Sequence, residues 1–407
     1  MVKVKNQFFN SVASPIFFIG ILGFIGFIVQ ISWIMRGFSP ANTCTSTEII
    51  FRNFVRIVNC DEVLFTNMTN NPEISLTSSY VFQSRPLMGY FGYAINELFA
   101  LFNINLVGIN PALPNILLNF IILAISYLLF SAIIQEYFNR QFYVSLLIGS
   151  IFIFINPINK AFIWTAHSQM FNILIPILNV YILLNFLKKE ISFKQYLYVA
   201  IVSLLTLAYS GFFVILVSLC LYLIAKNRSF LAFKLILLGL IPYLSYYFLI
   251  VIKNGNFYSH EVVTYRQFVW ILDAIKLNDL SNEFTLNFER YLIVFKDFYV
   301  IIFIALFTLN ILLSLPLLRT RIFNHNILNG EIFAFIFLMV THLIFLFLLG
   351  FYASRLLLAG LMYLIFILIS IINFPINLKK FLPLLFLYFS TFVYWIFINL
   401  KYPFPWS

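Results

Sequence analysis

The sequence predicts an all-α integral membrane protein with about eleven transmembrane helices and two long outer loops carrying amphipathic helices. The first observation behind this is composition: 62% of the 407 residues are hydrophobic and only 10% are charged, against about 25% charged in a soluble domain. Mean hydropathy is +0.98, and surface-to-volume scaling does not let a soluble fold of this length hide that much apolar surface. The second is segment length. Apolar runs of roughly 18 to 25 residues recur along the chain, each long enough to cross hydrocarbon as a helix. They lack strict alternation, which argues against an outer-membrane barrel. The third is charge placement. The net charge of +11 would suggest nucleic acid in a soluble protein. Here the basic residues sit mostly in short segments between apolar runs, where they act as topology signals, so no nucleic-acid partner is expected.

The spans fall at roughly 15–35, 112–134, 143–158, 165–187, 196–209, 211–225, 235–252, 294–316, 331–350, 354–373 and 381–400. The first is too long for the apolar core of a signal peptide and no small-x-small site ends it, so it reads as an uncleaved span. The 196–225 stretch is divided at Ser210-Gly211, because glycine weakens a helix interior. With Lys3 and Lys5 in the cytoplasm, this division puts Arg140, Lys188, Lys189, Lys194, Lys226, Arg228, Arg319, Arg321, Lys379 and Lys380 on the inner side. An undivided helix would place Lys226 and Arg228 opposite Lys188 and Lys189, against the positive-inside rule. The N-terminus is therefore expected in the cytoplasm, with the working face on the outer side of the membrane. No polar stretch is long enough for a soluble domain, so residues 1–407 form one membrane domain.

The two long outer loops are roughly 36–111 and 253–293. They hold Glu48, Asp61, Glu62, Glu73 and Glu97, and Glu261, Asp273, Asp279, Glu283 and Glu289, most of the 14 acids in the chain. Residues 87–107 read as an amphipathic helix lying in the membrane interface. Cys44 and Cys60 share the first loop, 16 positions apart, and are placed to pair if that loop faces an oxidising compartment. Cys220 falls inside a span as a packing residue.

Three constellations carry candidate chemistry. In the first loop, Asp61 and Glu62 precede Ser84-Arg85-Pro86-Leu87. Adjacent carboxylates can act as a general base or hold a hard cation such as Mg²⁺ or Mn²⁺, and an arginine can grip a phosphate with two bonds. The bland alternative is a pair of solvated acids and a headgroup anchor. Next, Asn156-Pro157 and Lys160 lead to Trp164 and His167-Ser168-Gln169 at the mouth of a span. Ionisable groups there are costly and face a cavity or a partner, although a helix-end histidine bonded to a loop carbonyl would look the same. Third, Tyr352-Ala353-Ser354-Arg355 sits at a later outer turn, where the arginine either meets an anion or snorkels to the interface. Glu261 and Arg266 in the second loop add polar groups beside aromatics. His342 reads as a helix–helix hydrogen bonder. Cys/His zinc spacing is missing, as are a phosphate-binding P-loop and mid-span acids of the kind proton-coupled transporters need.

In this layout the chain resembles the polytopic GT-C-fold glycosyltransferases, and more narrowly the bacterial glucosyltransferase-II-like group that modifies O-antigen and other cell-surface glycans. The residues carrying the resemblance are Asp61-Glu62, Ser84-Arg85-Pro86-Leu87, Pro157 through Gln169, and Tyr352 to Arg355. The resemblance implies a polyprenyl-phosphate-linked sugar donor and a glycan acceptor. It makes Asp61 the base, with Glu62 as helper or metal ligand, and Arg85 and Arg355 the holders of the donor phosphate. The family pair is commonly Asp-Asp or a lone Asp, whereas this chain has Asp-Glu. Two other readings stand beside it. One is an O-antigen polymerase using Arg85, Arg266 and Arg290, and the other is a glycan flippase or transporter.

Overall fold

The computed structural model describes residues 45–51, 54–59, 61–77, 81–137, 158, 162–188, 193–263, 266–297, 300–301, 304–305, 330–350 and 353–371. The expected spans at 15–35, 143–158, 294–316 and 381–400 lie wholly or largely outside them, as do Cys44 and Cys60.

The described chain opens on an antiparallel hairpin of β1 (Thr45–Phe51) and β2 (Phe54–Asn59), with Thr45 opposite Asn59 and Phe51 opposite Phe54. The hairpin lies within the first long loop of a chain whose other described elements are all helical, in keeping with the expected all-α class. Both strands are rich in Thr, Ile and Val, whose branched side chains suit a pleated chain. Helices follow: α1 (Glu62–Asn70), α2 (Ile74–Thr77), α3 (Pro86–Ala100), α4 (Leu106–Ile109) and α5 (Leu113–Glu136). The amphipathic helix expected over 87–107 is thus α3, and it stops at Ala100. Asn103 beyond it takes a left-handed backbone with φ of 61°, which asparagine tolerates better than most residues. Proline at the first turn of α3 and α5 fits a site that needs no amide donor.

The second half contributes α6 (Phe171–Lys188), α7 (Phe193–Leu205), α8 (Phe213–Ala225) and α9 (Ser229–Asn254). Then come α10 (His260–Val263), α11 (Val269–Lys276), α12 (Leu280–Phe295), α13 (Gly330–Leu349), α14 (Ser354–Leu361) and α15 (Tyr363–Ile371). Among the described residues four stretches are long and apolar enough to cross a membrane: Leu113–Glu136, Ser168–Leu187, Ser229–Asn254 and Ile332–Leu349. Three shorter apolar stretches, Phe193–Leu205, Ser210–Ala225 and Arg355–Ile367, accompany them. The break expected at Ser210-Gly211 is present. Helix α7 ends at Leu205, and a turn and one 3₁₀ turn at Ser210–Phe212 precede α8.

Helix α6 is the centre of the bundle, packed by α5, α8, α13 and α14. It is the most buried of the four long stretches and α9 the least. Helix α9 turns Phe230, Phe233, Leu237, Ile241 and Phe248 outward, a continuous apolar surface suited to hydrocarbon and unlike that of a water-soluble monomer.

Helix α1 lies on α3 at close range. A Cβ at Gly89 would stand 2.6 Å from the Met68 carbonyl oxygen, and one at Gly92 2.3 Å from Thr69 Oγ1. A backbone carbonyl cannot rotate away, so Gly89→Ala has to push α1 off α3. Overpacking costs typically about 1–3 kcal/mol, against the roughly 1 kcal/mol that alanine gains in helix propensity. A lower thermal midpoint of the detergent-solubilised protein is expected. An unchanged or raised midpoint would mean that the two helices part freely.

Candidate functional site

One loop, Phe162 to Gln169, is fixed from two sides. From α5, the buried Asn119 side chain donates to the carbonyls of Phe162 (2.9 Å), Ile163 (3.3 Å) and Thr165 (2.7 Å). From α1, the buried Glu62 carboxylate accepts the Ala166 amide at 3.1 Å. Both devices answer the need of a buried loop, whose backbone groups would otherwise lack partners.

The loop delivers His167 in an extended conformation just ahead of the 3₁₀ turn Ser168–Met170, with its ring between Phe65 and Phe162 at centroid distances of 5.0 and 5.2 Å. The helical stretch therefore begins at Ser168, three residues later than the expected 165, and leaves His167 outside it. His167 Nδ1 accepts the Gln169 amide at 3.2 Å. In a neutral imidazole the other nitrogen then carries the proton, and Nε2 faces Asp61 Oδ2 at 3.3 Å. Asp61 stands at the N-cap of α1 but makes no side-chain cap bond there, although aspartate is a favoured cap. Its carboxylate is turned towards His167 instead.

Arg85, at the N-cap of α3, reaches across to the same loop. Its Nη1 donates to Ser168 Oγ at 2.8 Å, and its guanidinium lies 5.5 Å from the centre of the Tyr209 ring and 6.0 Å from that of Phe65. Tyr209 comes from the turn between α7 and α8, which the Leu87 amide ties to α3 through the Leu207 carbonyl at 3.3 Å. Gln169 Oε1 receives Asn172 Nδ2 at 2.6 Å and the Tyr209 hydroxyl at 3.3 Å. Arg355, in the first turn of α14, has its guanidinium 5.9 Å from the centre of the Phe162 ring.

These groups share one cavity of about 120 Å³, several times the roughly 10–15 Å³ that a single water requires. Asp61, Arg85, His167, Gln169, Tyr209 and Arg355 are among its polar lining. Phe213, Val214, Phe345, Leu346 and Leu349, from α8 and α13, are among its apolar lining. The segment after α10 closes over it. The Phe268 amide donates to the Leu349 carbonyl and Trp270 Nε1 to the Leu348 carbonyl, both at 3.1 Å, and Phe268 lines the cavity. Gly350 serves this docking with a φ of 71°, and a Cβ there would strike the Trp270 ring at 2.3 Å.

Of the residues expected from sequence, Asp61, Arg85, His167, Gln169 and Arg355 meet in the cavity. Glu62 does not share it. It sits behind, bonded to Ala166, as a positioning residue. Arg266 is paired with Asp273 and does not line the cavity. The Glu261 side chain, Lys160 and Tyr352 lie outside the described residues. The two carboxylates do not fit a resident Mg²⁺ or Mn²⁺, which seeks several oxygen ligands. One is bonded to an amide and the other faces a histidine, and no cluster of three or more His, Cys, Asp or Glu occurs among the described residues. Tyr209, Asn172 and His342 also line the cavity, and sequence reasoning missed all three as site residues. Only Tyr209 carried a signal, its place beside the Ser210-Gly211 break.

Burial lowers His167 from its ordinary value to about 4, with Arg85 and Arg355 reinforcing the effect and Asp61 opposing it. Between about pH 4 and pH 6.5 the unfolded chain therefore binds a proton that the folded one refuses. Stability contributed by this group is fully present above pH 6.5 and is lost as the pH falls towards 4. In thermal unfolding of the solubilised protein, His167→Gln is expected to flatten the pH dependence in that window. An equal slope in the variant would place the titration elsewhere.

No family model matches the chain, and neither does any curated protein or solved structure.

Proposed function

We propose that this chain is a membrane glycosyltransferase of the GT-C type, with about eleven spans. In this reading it moves a sugar, a hexose, from a polyprenyl-phosphate-linked donor to a cell-surface or lipid-linked glycan on the periplasmic face of a bacterial inner membrane. One observation carries the reading. A carboxylate facing a neutral histidine shares a cavity with two guanidiniums and with apolar residues of α8 and α13. Two arginines suit a phosphate, and the apolar residues that α8 and α13 add to the lining suit a hydrocarbon tail. The basic clusters that define an inner side supply the orientation.

The chemistry follows from these groups. An acceptor hydroxyl attacks the anomeric carbon and passes its proton to Asp61 as general base. The bond from that carbon to the phosphate oxygen breaks, and its electron pair leaves with the phosphate. Arg85 and Arg355 stabilise the charge that grows there. Attack from the face opposite the phosphate inverts the anomeric centre. His167 Nε2–H orients the carboxylate. Glu62 and Asn119 hold the loop that carries His167, and no step runs through a metal. The polymerase reading draws less support, because Arg266 is occupied by Asp273 away from the cavity.

Mass spectrometry of surface glycans tests the reading in cells lacking the gene, complemented with wild type or with Asp61→Asn. Loss of one hexose per repeat unit, restored by wild type alone, is expected. A collapse of chain length with unchanged unit composition would instead identify a polymerase.

A further inference from the structure

A second histidine faces the cavity from within the bundle. Asn179 of α6, His342 of α13 and Tyr363 of α15 are all buried. Asn179 Nδ2 donates to the Tyr363 hydroxyl at 2.8 Å and also reaches Ser218 Oγ at 3.4 Å. An amide NH₂ offers no lone pair, so the Tyr363 oxygen is the acceptor in that contact and keeps its own proton for another partner. His342 Nδ1 lies 3.4 Å from the same oxygen, within reach of that proton. A neutral imidazole that accepts at Nδ1 donates at Nε2. His342 also lines the cavity, as do Leu346 and Leu349 of the same helix. In the tautomer that takes the Tyr363 proton, His342 carries its own proton at Nε2, the nitrogen turned away from Tyr363.

Its neutrality separates it from the arginines. A guanidinium reads charge, whereas a fixed neutral donor reads the position of a hydroxyl or ether oxygen. A site built to bond such an oxygen rejects ligands that lack it, because its own polar group is then left unpaired. We infer that His342 Nε2 donates to an oxygen of the sugar on the lipid-linked donor, and that Tyr363 and Asn179 are positioning residues that fix its tautomer. The inference rests on the glycosyltransferase reading for the class of ligand.

Two polar substitutions separate this role from packing. In His342→Asn the amide replaces Nδ1, so the Tyr363 contact survives and the cavity donor is lost. In His342→Gln the amide nitrogen replaces Nε2, so the donor survives and the Tyr363 contact is lost. The full chain, purified in nanodiscs, is titrated with dodecyl phosphate and with dodecyl phosphates bearing glucose, galactose or mannose. Wild type is expected to bind one hexosyl form more tightly than dodecyl phosphate. His342→Asn is expected to weaken that form by roughly 3- to 10-fold, the value of one hydrogen bond. Dodecyl phosphate should stay within about twofold in the same variant, and His342→Gln should hold the hexosyl form within about twofold. The assignment of His342 is overturned, with the transferase reading intact, if His342→Asn leaves hexosyl affinity unchanged, weakens both ligands alike, or is matched by His342→Gln. Wild type that prefers no hexosyl form over dodecyl phosphate overturns both.

Discussion

Asp61→Asn is expected to lower glycosyl transfer by about 10²- to 10⁴-fold, the range typical for removal of a general base, while Glu62→Gln stays within about tenfold because glutamine retains the carbonyl oxygen that accepts the Ala166 amide. The two acids are neighbours in sequence, and the structure gives them separate work. Glu62 is buried and bonded to a backbone amide, whereas Asp61 lines the cavity against His167. Glu62→Ala is a different matter. It strands the Ala166 amide, at a cost of about 1–3 kcal/mol for an unpartnered buried donor, and loosens the loop carrying His167. Glu62→Ala should therefore lower the thermal midpoint together with activity, while Asp61→Asn lowers activity alone. Initial rates of hexose transfer from a polyprenyl-phosphate donor, measured beside melting curves, decide the matter. If Glu62→Gln abolishes transfer and Asp61→Asn does not, the roles of base and support are exchanged.

Removal of the cavity arginines should have the next largest effect. Charge-assisted hydrogen bonds are worth about 1.5–3 kcal/mol each, so Arg85→Ala and Arg355→Ala should each weaken dodecyl phosphate binding by about 10- to 100-fold. Lysine is not expected to restore either site. An ammonium cannot make the paired donation of a guanidinium and stacks poorly on an aromatic face, and Arg85 lies over Tyr209 and Phe65 while Arg355 lies over Phe162. The double alanine variant should bind less than either single variant, with a coupling that reports whether both arginines touch one anion. Equal binding by wild type and both single variants would remove the phosphate from this cavity.

Five of the cavity residues were legible in the sequence. His167, Gln169 and Arg355 are polar groups at the ends of apolar runs, where a charge has little reason to be unless something meets it, while Asp61 and Arg85 stood out in the first long loop as one of two adjacent carboxylates and an arginine just ahead of an amphipathic helix. The division of labour between Asp61 and Glu62 was not legible. Consecutive side chains at a helix start diverge by about 100°, since a turn holds 3.6 residues, and the string of letters does not say which direction faces the cavity. Asn172, Tyr209 and His342 were missed as site residues for another reason. An amide, a phenol or an imidazole within an apolar run looks the same whether it bonds a neighbouring helix or a ligand, and His342 does face Tyr363 as expected while also lining the cavity. The hairpin at Thr45–Asn59 was not legible, because its two strands are short and charged residues interrupt their branched ones. The break before Ser210-Gly211 was read correctly, because glycine weakens a helix interior.

The cavity takes its two arginines from opposite halves of the chain, Arg85 from the first long loop and Arg355 from the last described helices. At synthesis rates of about 5–20 residues per second, Arg355 leaves the ribosome roughly 13 to 55 seconds after Arg85. Through that interval Asp61 and Arg85 already exist, joined part-way by His167, with only half of the cavity's arginine charge beside them. A nascent chain is thus unable to grip a doubly held anion until the first turn of α14 arrives.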